Sequence, residues 1–218
     1  MRHVAIVIGL GFILAGAAPA AAQDWYAGAS LATHEIRFNP HYTFYDGAEP
    51  QQFDNRARGL QINLAAGRRT ALGGRFSIGW QGAVGMNGFE WSLSIPSEPA
   101  DIRYALPFTV LATAVPEVRL GSRICVFGEI GGGGGRVRET KTSPASSTYD
   151  YRAFRPVLAA GAGVRVAIGP RLDLLTQYQH LRYASFEFDT FTAAGARVEH
   201  VTDSPRSHSV LFGATTRF

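Results

Sequence analysis

The chain has 218 residues, 46% of them hydrophobic, and a net charge of +4. Beyond the N-terminus no stretch reaches the ~20 consecutive apolar residues that a membrane helix needs, which excludes a helical membrane protein. The basic residues are dispersed without a stripe, which excludes nucleic acid as a partner, and the lone Cys125 rules out an internal disulfide.

Met1 to Ala22 divides into a basic start (Arg2, His3), an apolar run from Val4 to Leu14 and a small-residue end in which Ala20 and Ala22 form an A-x-A pattern. That is the layout of a cleaved secretory signal peptide, so the mature chain is expected to be one domain from Gln23 to Phe218.

Alternating patterns then recur along the chain. Trp25 to Ile36 opens with two aromatics where an interfacial girdle would lie. Asn39 to Asn55, with two prolines and Tyr45-Asp46-Gly47, reads as a long loop. Gly59 to Ala66 alternates cleanly, Gly67 to Gly74 reads as a turn, and Phe76 to Met86 sets Phe76, Ile78, Trp80, Val84 and Met86 on one face. After a second long loop, Asn87 to Asp101, a fourth strand runs from Arg103 to Leu120. It places Tyr104, Leu106, Phe108 and Val110 outward, with Glu117 on the opposite parity. Pro107 cannot donate to a ladder, which predicts a bulge there.

Leu120 to Arg123 is a tight turn into a fifth strand that includes five consecutive glycines, Gly131 to Gly135. The run has neither the spacing nor the following helix of a phosphate-binding loop. It reads as strand without side chains, leaving room for aromatics on both faces. Glu139 to Asp150 is a third long loop and Tyr151 to Ile168 a sixth strand, turned by Gly169-Pro170-Arg171. The seventh strand starts at Leu172, Asp189 to Arg206 is a fourth long segment, and the eighth strand ends at Phe218.

Long and short connections alternate, and mid-strand charges keep to one parity. Those are the marks of an all-β, eight-stranded antiparallel up-and-down transmembrane β-barrel, since a midplane Arg or Lys facing lipid costs ~2 to 4 kcal/mol. Arg152 and Arg182 break the parity near the loop ends of their strands, where the cost falls. Inward charges need partners. Glu129 and Arg165 are expected to pair, extended by Arg75 or Arg103; the alternative is solvation by trapped water.

Trp25-Tyr-Ala-Gly-Ala-Ser-Leu, the segment from Ala162 to Leu174, Gln177-Tyr-Gln-His and the final Phe218 resemble the small OmpA-like and opacity-type outer-membrane barrels of the porin family. The resemblance implies insertion by the outer-membrane assembly machinery, with Phe212 and Phe218 matching its terminal aromatic signal. It implies no catalytic residue, cofactor or metal.

The leading expectation is therefore a non-enzymatic barrel in the outer membrane of a Gram-negative bacterium. It would sit among lipid and lipopolysaccharide and display loops to a host or cell-surface ligand. Tyr42, Phe44, Tyr45, Phe89 and Trp91 form the candidate contact surface, against the alternative that they pack the loops or meet headgroups. A lipid A-modifying enzyme would need Ser185 within reach of His180, yet the two have opposite parity. A pore is disfavoured because eight strands leave no aqueous channel. His200 and His208 lack the surrounding Cys or carboxylates of a metal site.

Overall fold

The computed structural model describes residues 23–87, 90–95, 100–142, 149–192 and 194–218. The expected signal peptide, 1–22, lies outside them. Eight strands form a ring: β1 (Gln23–Phe38), β4 (Asn55–Gly73), β5 (Phe76–Asn87), β8 (Phe108–Arg119), β9 (Ile124–Thr142), β10 (Tyr149–Ala167), β11 (Leu172–Tyr183) and β14 (Arg206–Arg217), each antiparallel to its neighbours. The first and last strands close it, from Tyr26 opposite Arg217 to Arg37 opposite Arg206, and the Phe218 N–H donates to the Trp25 carbonyl at 3.0 Å.

Closure is staggered. Paired residues followed from Ala27 around the ring, through Ala66, Gly82, Ala112, Gly132, Leu158, Arg182 and Arg206, return to β1 at Arg37. That shear tilts the strands about 40° to the barrel axis.

The expected parity is borne out in the lower ring. Leu60 and Leu158 are each 68% exposed and Ile130 is 65% exposed, and they belong to an apolar belt with Leu31, Ile62, Trp80, Leu174 and Phe212. A belt of that extent is stable only against lipid. Gln61, Asn63, Glu117, Glu129, Arg165 and Gln177, on the other parity, are buried inside.

The glycine run lies within β9, as expected. A Cβ at Gly134 would meet the Phe154 ring outside, and one at Gly135 would meet Tyr183 inside. Two other expectations are corrected. Gly67 to Leu72 is strand, and the chain reverses only at Gly73 and Gly74, whose φ values of 112° and 58° suit glycine alone. At Pro107 the fourth strand does more than bulge. It breaks, and β7 (Ala100–Ala105) leaves the ring to pair with β6 (Glu90–Ile95) and the outer part of β9. Parity slips across the break, so Tyr104 and Leu106, expected outward, are buried.

The long connections are not plain loops. β2 (His41–Phe44), β3 (Gln51–Gln52), β12 (Phe186–Phe191) and β13 (Arg197–Asp203) form a second sheet in the order β12-β13-β2-β3. With β6, β7 and the continuing ends of β9 and β10 they raise a rim on one side of the belt. The tight turns, the start of β1 and the end of β14 lie on the other side.

Candidate functional site

The lumen is filled in layers. Nearest the tight turns, Glu117 on β8 stands between two guanidinium groups: Arg165 Nη1 donates to Oε1 at 2.6 Å, and Arg69 Nε lies 2.7 Å from Oε2. Ser77 Oγ donates to the same carboxylate at 3.3 Å, and Cys125 Sγ lies 3.7 Å from it. Both guanidiniums lie over the Tyr26 ring, at 5.3 Å and 5.6 Å. A cavity of about 160 Å³ opens beside this cluster, also lined by Arg119, Arg123 and Arg217.

Glu129 does not meet Arg165. The β9–β10 register sets Cys125 opposite Arg165 and Gly161 opposite Glu129, which parts the two charges by four residues along the strand. The expected pair is therefore replaced by Glu117–Arg165. Glu129 instead accepts hydrogen bonds from Gln177 and from Gln179, the latter at 3.1 Å. Arg75 and Arg103, the expected extensions, are both exposed, at a tight turn and on β7. Gln61 and Asn63, bonded at 2.7 Å, complete a middle layer of amides.

Above the amides the interior turns apolar. Ile36, Leu111, Val157, Ala159, Leu181 and Tyr183 continue into a core with Phe38, Tyr104, Leu106, Val137, Phe186 and Val201 that holds up the rim. Two polar groups cross it. Lys141 Nζ donates to Glu199 Oε1 at 2.7 Å with both side chains almost wholly buried, and Thr190 Oγ1 donates to Oε2 at 3.2 Å. Glu139, fully buried, accepts from Tyr149 at 2.7 Å, while Tyr42 and Tyr104 meet hydroxyl to hydroxyl at 3.1 Å beside it. Burial pushes the Glu139 carboxyl up to about 8 and that of Asp203 up to about 6.

These placements divide the expected contact aromatics. Tyr42 is buried in the rim core and Phe44 packs against it, because strand β2 turns alternate side chains of the presumed loop inward. Tyr45 is half exposed; it donates to Asp189 at 3.0 Å and lies under the Arg197 guanidinium. Phe89 and the Trp91 side chain lie outside the described residues. Phe212 and Phe218 face outward at 60% and 64% exposure.

The His180 and His208 rings meet at a tilt on the outer wall, their centroids 4.5 Å apart, and His208 Nδ1 is 2.5 Å from the Tyr178 hydroxyl. Ser185 lies in the break between β11 and β12, with no hydrogen bond to His180 among the described residues. His200 meets Asp189 at 2.9 Å. Lys141, Glu199, Arg69 and the partnership of Glu117 were missed by sequence reasoning. Inward parity marked Glu117, but only register supplies its partners.

Outer membrane protease OmpT from Escherichia coli aligns with a TM-score of 0.52 at 8% identity, covering 89% of this chain and 97% of that one. The chain has the outer-membrane β-barrel fold. Ail of Yersinia pestis, in complex with the heparin analogue sucrose octasulfate, aligns with the barrel at a TM-score of 0.41 and 15% identity, over 87% and 99% of the two chains. Neisserial surface protein A aligns at 0.46 and 16%, over 89% and 97%. No family model matches the sequence, and no curated protein matches it.

Proposed function

We propose that the protein is a non-enzymatic display barrel of a Gram-negative outer membrane, inserted by the outer-membrane assembly machinery, whose raised rim recognises a ligand on another surface. One observation carries this reading: the long connections are built into a second sheet that packs on an apolar core continuous with the upper ring. Loops that only joined strands would not need one, whereas a rigid platform is what a recognition surface requires. The filled lumen supports display over conduction, since eight strands leave space only for side chains.

The outer ends of β12 and β13, with the turn after β2, bring Tyr45, Asp189, Arg197 and His200 together as a linked polar and aromatic tip. Replacing the segment from Glu187 to Thr202 with a short turn should abolish binding of cells displaying the protein to a target surface, while the ring stays folded and heat-modifiable. Unchanged binding by the shortened protein would refute the reading.

A further inference from the structure

We propose that a slanted row of four arginines on the outer wall, Arg182, Arg206, Arg37 and Arg56, binds the phosphate groups of lipid A in the leaflet next to the rim. The proposal rests on the outer-membrane reading above. These residues stand far apart in sequence, but the register makes them direct neighbours on four adjacent strands. Arg182 is opposite Arg206, Arg206 opposite Arg37, and Arg37 opposite Arg56.

All four point outward. Arg56 shares its parity with Leu60 and Ile62, Arg37 with Leu31, Arg206 with Val210 and Phe212, and Arg182 with Tyr178 and Leu174. The row therefore begins where the apolar belt ends, on the rim side. Headgroup phosphates lie at that level.

Like charges set directly opposite on neighbouring strands repel. The protein supplies only part of the counter-charge. Asp54 lies 3.8 Å from Arg37 and 3.6 Å from Arg56, and Glu35 takes Arg58 at 2.8 Å. Arg182 and Arg206 have no carboxylate partner among the described residues, and Arg37 Nε is buried without a hydrogen-bond acceptor. Five guanidiniums, counting Arg58, thus face two carboxylates on this wall.

The missing anion must come from outside, and phosphate matches the planar fork of arginine. Three inter-strand steps span roughly 14 Å, the reach of a disaccharide with a phosphate at each end. Just below the row lies a groove of about 500 Å³ walled by Thr33, Glu35, Arg58, Tyr178, His208 and Val210. Its polar groups, Thr33, Glu35, Arg58 and His208, stand beside Tyr178 and Val210, a mixture that suits a sugar carrying acyl chains.

The test uses the full chain produced in a Gram-negative host and extracted in mild detergent. Wild type should retain lipopolysaccharide, and Arg182→Gln with Arg206→Gln should lower the retained amount about tenfold. The variant's strand signal and heat-modifiable mobility should be unchanged, because neither residue packs in the core. Refolded into vesicles, wild type should gain thermal stability from diphosphoryl lipid A more than from phosphatidylglycerol, and lose the gain in high salt.

Equal retention by both proteins, or an equal gain from phosphatidylglycerol, would overturn the assignment to lipid A. Wild-type protein found away from the outer membrane would overturn the location instead, and the vesicle measurement would still read the row by itself.

Discussion

The membrane ring and the raised rim share strands, β9 and β10 among them, that run from one into the other with opposite polarity. Below, β9 buries Glu129 and turns Ile130 outward; above, the same strand buries Val137 in an apolar core and turns Arg136 and Arg138 outward. The backbone does not change along its length. What changes is the medium outside, lipid below and water above, and the side chains exchange faces accordingly. Charge is consequently cheap outside the rim and must be paired inside either region.

That contrast can be broken region by region. The largest effect is expected from Glu117→Gln, which leaves two buried guanidiniums without a counter-charge at a cost of about 3 to 5 kcal/mol. The urea midpoint of the barrel refolded in vesicles reads it; Arg165→Met should cost less, since Arg69 remains beside Glu117. Next comes Lys141→Met, which strands Glu199 and should cost about 3 kcal/mol within the rim. Amide hydrogen exchange should quicken over β12 and β13 and stay unchanged over β4 and β5.

Gly133→Ala should follow at about 1 to 3 kcal/mol. Its Cβ would press on the Val110 carbonyl, which belongs to the neighbouring backbone, whereas the one at Gly134 meets the exposed Phe154 ring, which can swing aside. Gly134→Ala is accordingly the milder change by the same urea assay.

The smallest effect is a pH dependence confined to the rim. Glu139 is raised from 4.5 to about 8 in the folded protein, so between those values the unfolded chain has lost a proton that the folded one keeps. Stability contributed by this group is fully present below pH 4.5 and declines as pH rises toward 8. Rim amides should therefore open more readily at pH 8 than at pH 5 after correction for intrinsic exchange, and Glu139→Gln should flatten the profile.

Ring strands, the tight turns other than that at Gly73 and Gly74, and the glycine run inside β9 were legible in the sequence because lipid imposes a strict period of two. The rim was not, since the Pro107 break slips the parity and turns such as Gly47 and Gly195, with φ of 84° and 82°, make its hairpins look like loops. Charge partners were the least legible. Glu117 could be placed inside from parity alone, but choosing it over Glu129 as the partner of Arg165 takes the register of the whole ring. The arginine row failed to show for the same reason. Residues that look scattered at 37, 56, 182 and 206 become a line only when four strands are laid side by side.

The seam between β1 and β14 sets an order of events. Trp25 and Phe218 are joined by a hydrogen bond although nearly the whole polypeptide separates them, so the ring cannot shut until its last residues have arrived. Until then both edges stand open and ready to pair with strangers. A cell that makes this protein must guard a half-finished sheet until β14 arrives, and losing that strand would leave the ring open.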